Sequence, residues 1–175
     1  MPASRSRARR AVRLALAVAG LAALTWILGS ALASRLDGPL GMIPGGPFRG
    51  AAAPCPEAAL PGWSAAREVE VEVWPPRPRS VTTWSVVHEG ALYLPADFLT
   101  PWKRWPHQAM EDPRVRLRVA GQVFACRVER VRDPGRIAAL RDEAVAKYDV
   151  EPDGLAARTE VWWFRVGPRE SAAAP

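Results

Sequence analysis

Residues 77–83 carry the side chains of this chain best suited to holding an anionic group such as a phosphate. Two guanidinium groups and three hydroxyls share this short segment, in Arg77, Arg79, Ser80, Thr82 and Thr83. Cationic and hydroxyl donors form strong hydrogen bonds with phosphate oxygens, and arginine can do so through two parallel bonds. Lys103 and Arg104 offer a second pair of cations. The residue types therefore predict a site for an anionic ligand.

Three tryptophans near these cations, Trp84, Trp102 and Trp105, could form the apolar wall of such a site. Planar ligands stack well on indole rings, and ligand pockets are mostly apolar with a few polar contacts. A second interpretation of the same residues is that the tryptophans belong to the core and the arginines are ordinary turn and surface residues. The sequence leaves both open.

Other kinds of catalytic site find no support in the sequence. His88 and His107 are the two histidines, and no HExxH pair accompanies them, so we predict no metal site. The chain has no nucleophile elbow, phosphate-binding P-loop or dinucleotide-binding glycine motif. Hydrolase and kinase activities are therefore not expected.

The N-terminus combines a basic segment, residues 1–13, with an uncharged apolar run, Leu14 to Ala33. A run of about 20 apolar residues matches a membrane-spanning helix, and the preceding arginines should stay in the cytoplasm. We predict a single-pass protein of the bacterial inner membrane whose C-terminal domain is extracytoplasmic. The alternative is a cleaved signal peptide, because small residues precede Ser34.

The charge distribution argues against nucleic-acid binding. The net charge is +6, with 24 basic and 18 acidic residues. Five of the basic residues lie in the N-terminal segment, which leaves 19 basic against 18 acidic residues in the rest of the chain. Phosphate backbones are bound by clusters of basic side chains, and a nearly neutral domain does not provide such a surface.

Residues 34–66 form a linker rich in glycine and proline, in which no long helix or strand is expected. It is either a spacer that lifts the domain off the membrane or an ordered collar packed on the domain. In the second case the apolar anchors would be Met42, Ile43, Phe48 and Trp63.

The chain has two cysteines, Cys55 in this linker and Cys126 in the domain, 71 positions apart. This spacing excludes a CxxC redox pair, and two cysteines are too few for a cysteine-rich zinc site. They form one disulfide in an oxidising compartment or remain two thiols, and the spacing does not decide which.

Residues 67–166 read as a mainly β domain with short helices. Arg67 to Trp74 alternates valine with glutamate, which is typical of a half-buried strand with a solvated glutamate face. Further strands are predicted at 80–88, 91–94, 114–120, 123–131 and 159–166, with hairpin turns at Glu89-Gly90 and at Ala120-Gly121-Gln122. A short helix should begin near Pro106, and a longer one should follow Asp133 as its N-cap. The tail, residues 167–175, is predicted to be disordered.

This order of elements resembles the flavin split-barrel superfamily, which includes pyridoxamine-phosphate-oxidase-like proteins and deazaflavin-dependent nitroreductases. The positions that fit its pattern are Trp105, Pro113, Val115, Leu117 and Gly121, whereas Gln108, Ala109 and Asp112 depart from it. The resemblance implies an α+β fold, a split β-barrel of about six antiparallel strands, and the apolar run of residues 14–33 places the predicted transmembrane helix before it. A glycine and proline linker and the Lys103 to Pro106 segment also resemble those of uncharacterised bacterial membrane-anchored proteins.

The resemblance further implies FMN or deazaflavin as a cofactor, with the phosphate held by the 77–83 segment and by Lys103 and Arg104. It also implies a homodimer with ligands at the interface. The Arg-Ser-Gly motif typical of deazaflavin binders is absent. We expect a non-catalytic module that binds a planar small ligand or a partner. The alternatives are a flavin- or deazaflavin-dependent oxidoreductase and a structural subunit of an envelope complex.

Overall fold

The computed structural model describes residues 3–73, 75–98, 103–150 and 160–169, with side chains described from residue 12 onward. Its helices are α1 (Ala3–Ala33), α2 (Trp105–Glu111) and α3 (Pro134–Tyr148), and a 3-10 turn spans Trp63–Ala65. The strands are β1 (Ala53–Pro54), β2 (Glu68–Val73), β3 (Arg79–Trp84), β4 (Val86–His88), β5 (Ala91–Asp97), β6 (Arg114–Val119), β7 (Gln122–Val131) and β8 (Val161–Pro168).

Seven of these strands form one antiparallel sheet in the order β3-β2-β6-β7-β8-β5-β4, and the short β1 adds a parallel pair with β7. The hydrogen-bonded path is not closed. Its two end strands, however, follow one another in the chain and are separated only by Ser85. The sheet must therefore curl until its two edges approach each other, which makes an antiparallel barrel split between β3 and β4. This confirms the predicted α+β fold, with one more antiparallel strand than the six expected.

Two tight turns confirm the predicted hairpins. Glu89 and Gly90 join β4 to β5 with φ of 48° and 75°, and Ala120 and Gly121 join β6 to β7 with φ of 48° and 81°. Two successive positive φ values are typical of the two-residue turn whose twist matches that of the strands. The glycine in each pair adopts this conformation without a steric penalty.

The barrel interior contains the main core. The valine face of β2 is buried as predicted, and it packs with Leu117, Phe124 and Phe164 from β6, β7 and β8. A second cluster lies under α3, where Leu140 and Tyr148 pack against side chains of the sheet. Asp133 accepts a hydrogen bond from the Arg136 N–H at 2.7 Å, so it caps α3 as predicted.

Helix α1 includes the predicted apolar run. Val12–Ala33 has a mean hydropathy of 2.0 and is long enough to cross a membrane, and within this span the side chains are exposed apart from those at its C-terminal end. Ala33, its last residue, is buried against the segment that follows.

The linker is an ordered collar on the barrel. Phe48 and Trp63 are buried in it, Ile43 is half-buried, and a disulfide joins Cys55 to Cys126. Met42 is not one of the anchors, because its side chain is 98% exposed.

The collar also changes the environment of the glutamates in β2. Glu72 is buried and accepts hydrogen bonds from the Phe48 N–H and from Arg116, and Glu70 is paired with Arg118. The predicted solvated glutamate face is therefore wrong beyond Glu68. The collar lies over this part of the strand, and each buried acid has an arginine partner on β6.

The last strand of the domain extends further along the sequence than predicted. Strand β8 continues through Gly167 and Pro168, which pair with Arg127 and Cys126 of β7. Arg169 then donates hydrogen bonds to the carbonyls of Cys126 and Val115. The remainder of the predicted disordered tail, residues 170–175, lies outside the described residues.

Candidate functional site

The hydroxyls of the 77–83 segment donate to backbone carbonyls of the chain itself. Ser80 Oγ donates to the Gly46 carbonyl at 2.6 Å and Thr82 Oγ1 to the Gly41 carbonyl at 2.8 Å. Thr83 Oγ1 donates to the Pro95 carbonyl at 2.9 Å. Each hydroxyl has a single proton to donate, so none of the three has a proton left for a phosphate in this conformation.

Backbone hydrogen bonds hold the collar on the same strand. The N–H of Gly45 donates to the Ser80 carbonyl at 2.9 Å, and the Ser80 N–H donates back to the Gly45 carbonyl at 3.3 Å. A Cβ built on Gly45 would lie 1.7 Å from the Gly38 carbonyl oxygen, so only glycine permits this approach. Ser80 is fully buried as a result.

The two arginines of the segment lie at its exposed end. Arg77 precedes β3 and Arg79 begins it, opposite Val73 of β2, and both are exposed. Arg77 makes a contact of its own within the structure. The cations therefore face solvent, whereas the Ser80 hydroxyl lies beneath the collar.

Lys103 and Arg104, the second pair of predicted cations, lie in different surroundings. The Lys103 ammonium lies 2.8 Å from an Asp97 carboxylate oxygen, at the end of β5. Arg104 is exposed and directly precedes α2. Lys103 is thus already neutralised by an acid of the same domain.

The tryptophans proposed as an apolar wall have separate structural roles. Trp105 is 4% exposed and packs against Phe164, with 5.3 Å between the ring centroids. Trp84 is 42% exposed and stacks on Tyr148 of α3 at 4.3 Å, with 9° between the ring planes. Trp102 lies outside the described residues. Trp105 is therefore a core residue, as in the second interpretation. Trp84 packs on α3 beside the split between β3 and β4.

Polar groups at this split form a cluster that sequence reasoning missed. The Lys147 ammonium donates to the carbonyls of Ala66 and Ser85 at 2.6 and 2.8 Å. The Tyr148 hydroxyl donates to the Arg67 or the Ser85 carbonyl and accepts from the Ser85 N–H at 2.9 Å. These bonds tie the end of α3 to the bend between β3 and β4.

Burial of this cluster shifts both titrating groups. Burial lowers the pKa of Lys147, and the positive charge of Arg67 lowers that pKa further. Burial raises the pKa of Tyr148, although hydrogen bonds with Ser85 oppose the shift. Both shifts favour the neutral form, as expected for groups removed from water.

A groove of about 610 Å³ at the end of β7 was also missed by sequence reasoning. It is lined by Met110, Glu129, Arg130, Val131, Arg132, Asp133, Arg136 and Arg165. Four of these are arginines and two are acids, so the lining is net positive. The sequence does show a concentration of arginines between β7 and α3. It gave no indication of a groove there, because these residues were assigned to a predicted strand and a predicted helix.

Two of the arginines in this groove are held in position. Arg136 donates to the Tyr93 hydroxyl at 3.0 Å, a contact that raises the pKa of the guanidinium. Arg130 lies over the Trp162 ring, 3.7 Å from its centroid. Both also have an acidic partner, because Arg130 lies 3.7 Å from a Glu160 carboxylate oxygen and Arg136 lies 3.5 Å from one of Glu89. Among the described residues, no cluster of His, Cys, Asp and Glu side chains is suited to a metal ion.

No protein-family model matches the chain, and no curated protein matches its sequence. Solved structures do resemble it. HutZ, the haem storage protein of Vibrio cholerae, is 13% identical, with 60% of this chain and 83% of HutZ covered and a TM-score of 0.48. An FAD-binding protein of Mesorhizobium loti is 19% identical, with 61% and 82% covered and a TM-score of 0.43.

A candidate pyridoxamine 5'-phosphate oxidase of Listeria innocua is 11% identical, with 61% of this chain and 86% of that chain covered and a TM-score of 0.43. The Listeria protein carries the name of a family that the sequence pattern resembles. At these identities and TM-scores the similarity concerns the fold alone.

Proposed function

We propose that this chain is a membrane-anchored, extracytoplasmic domain that binds a small anionic ligand or an acidic partner without catalysing a reaction. The proposal rests on the contacts that the collar makes with β3. It engages the hydroxyls of Ser80 and Thr82, the donors best suited to a cofactor phosphate, and it buries Ser80 completely. A cofactor on this strand would have to displace the collar and break those hydrogen bonds.

Two features support the extracytoplasmic placement. Helix α1 is long enough to span the bilayer, and its apolar run from Leu14 to Ala33 follows an arginine cluster, which favours a cytoplasmic N-terminus. The disulfide between Cys55 and Cys126 favours an oxidising compartment. In a bacterium these two features together favour the inner membrane, with the domain on its outer side.

The arginine-lined groove is the best candidate for the ligand site. Its cations include Arg132 and Arg165, and one of its two acids, Asp133, already caps α3. A planar anion such as haem or a flavin phosphate could use the guanidinium groups, and Met110 could provide an apolar contact. This position differs from the 77–83 segment, so the two can be tested against each other.

The test is the absorbance spectrum of detergent-purified full-length protein, followed by titration with FMN, deazaflavin and haem. The matched variants are Arg165→Gln in the groove and Arg79→Ala in β3. If the groove binds, Arg165→Gln should raise the Kd by about tenfold, the expected loss of one charge-assisted hydrogen bond, and Arg79→Ala should not.

The opposite result would overturn this proposal. A tightly bound flavin that is lost in Arg79→Ala, with redox activity, would identify the flavin-dependent oxidoreductase. A colourless protein that binds none of the three compounds and co-purifies in a fixed ratio with other envelope proteins would identify a structural subunit. The mass of the purified particle would test the homodimer in the same experiment.

A further inference from the structure

Exposed apolar side chains outside α1 are concentrated in the first part of the collar. Among the described residues beyond α1, the large hydrophobic side chains that remain exposed are Leu36, Leu40, Met42, Leu60, Trp84 and Met110. Three of these six lie within seven positions, from Leu36 to Met42. Scattered exposed apolar residues are normal on a protein surface, but a local group of them indicates a contact surface.

The most exposed of these side chains stands at the tip of a tight hairpin. Leu40 and Ile43 exchange two backbone hydrogen bonds of 3.0 Å, so that Gly41 and Met42 form the turn. Gly41 has φ of +56°, and Met42 is 98% exposed. The Gly41 carbonyl accepts the Thr82 hydroxyl at 2.8 Å, which fixes this tip to β3. Met42 therefore projects away from the barrel.

The hairpin begins and ends beside the C-terminus of α1. The helix ends at Ala33, and a Cβ built on Gly46 would lie 2.3 Å from the Ser34 carbonyl oxygen. The chain thus leaves the helix, makes the hairpin and returns to the helix end within twelve residues. Asp37 fixes this path by accepting from the Arg49 N–H at 2.9 Å and from Arg118 at 3.1 Å.

We propose that residues 36–42, which include the tip of this hairpin, insert into the outer leaflet of the membrane that α1 spans. Leu40 and Met42 would lie deepest in the lipid. This inference rests on the membrane anchoring proposed above. The apolar run of α1 ends at the edge of the hydrocarbon core, so residues that return to the helix end lie at the lipid headgroups. Arg35 and Arg49 are exposed nearby, and long cationic side chains near the end of a spanning helix can reach the lipid headgroups.

Insertion would hold the barrel in one orientation to the membrane. The hairpin is bonded to β3 and the collar to β2 and β6, so the barrel cannot turn freely around the end of α1. The arginine-lined groove would then keep a constant height and direction above the lipid surface.

The experiment is spin labelling of full-length protein in vesicles of phosphatidylethanolamine and phosphatidylglycerol. Both native cysteines form the disulfide, so a single introduced cysteine can be labelled selectively. The test variants are Met42→Cys and Leu40→Cys. Met110→Cys is a control of known exposure on α2, and Leu21→Cys in α1 reports whether the helix itself lies in lipid.

Collisions with oxygen and with a water-soluble nickel chelate distinguish the environments. We expect nickel collisions at positions 42 and 40 to be about tenfold rarer than at position 110, because polar solutes are excluded from hydrocarbon, with oxygen collisions increased. Equal nickel access at 42 and 110, with position 21 in lipid, would overturn the hairpin insertion alone. Protection at 42 from both reagents would mean a protein contact and would also overturn it. Nickel access at position 21 would overturn the membrane anchoring itself.

Discussion

Glu72 and Arg116 lie directly opposite each other in the antiparallel register of β2 and β6, with 3.4 Å between Arg116 Nη1 and Glu72 Oε2. The Glu72 side chain is only 8% exposed and that of Arg116 21%. Arg116 also donates to the collar carbonyls of Phe48 and Gly50 at 2.6 and 2.7 Å. This pair therefore joins the sheet to the collar.

Replacing Arg116 with methionine should destabilise the domain by about 3 kcal/mol, because a buried carboxylate loses its partner. The free energy of unfolding, measured with urea, checks this value. Adding Glu72→Gln to Arg116→Met should restore part of the loss. The control is Arg114→Met, whose ion pair with Asp112 involves a solvent-exposed guanidinium and should contribute much less to stability. Equal effects of the two arginine variants would contradict the role assigned to Arg116.

Gly45→Ala should detach the collar from β3. The new Cβ would meet the backbone of Gly38, which cannot move aside as a flexible side chain would. Amide hydrogen exchange at Ser80 should then accelerate by at least about tenfold, since its bond to the Gly45 carbonyl is lost. Gly135→Ala in α3, where the nearest atom is 3.5 Å away, is the matched control and should leave that exchange unchanged.

Replacing both cysteines with alanine should lower the free energy of unfolding by about 2–4 kcal/mol, because the disulfide restricts a long loop of the unfolded chain. Dithiothreitol should destabilise the wild-type protein by a similar amount and leave the double variant unchanged. A wild-type protein that is indifferent to dithiothreitol would show that the disulfide does not contribute to stability.

The Lys147 ammonium should make stability depend on alkaline pH. Its pKa in the folded protein is lowered below 10.5, the value for an unfolded chain, chiefly by burial. Between these two pKa values Lys147 binds more protons in the unfolded chain, so its contribution to the free energy of unfolding rises with pH up to 10.5. The raised pKa of Tyr148 has the opposite effect above 10.0, the value for an unfolded chain. We expect Lys147→Met to lose this rise and Lys103→Met to keep it. A rise of the same size in both variants would assign it to other groups.

Local sequence patterns were sufficient to predict most of the helices, strands and turns. Alternation identified β2 and β6, Glu89-Gly90 and Ala120-Gly121 identified two hairpins, and Asp133 identified the start of α3. Each of these signals depends on neighbours within a few positions. The apolar length of the N-terminal segment likewise predicted a helix long enough to cross a membrane, without reference to any other part of the chain.

The tertiary structure decided what depends on distant contacts. Residues 80–88 read as one strand, but Ser85 divides them between opposite edges of the sheet, because β2 and β5 offer separate pairing partners. In the sequence, Glu72 of β2 and Ser80 of β3 look as free as the glutamates and hydroxyls beside them. Their burial follows from a glycine-rich segment more than 20 positions away, whose lack of side chains allows close backbone contact. Side-chain types are local properties, whereas access to them depends on which segment packs above.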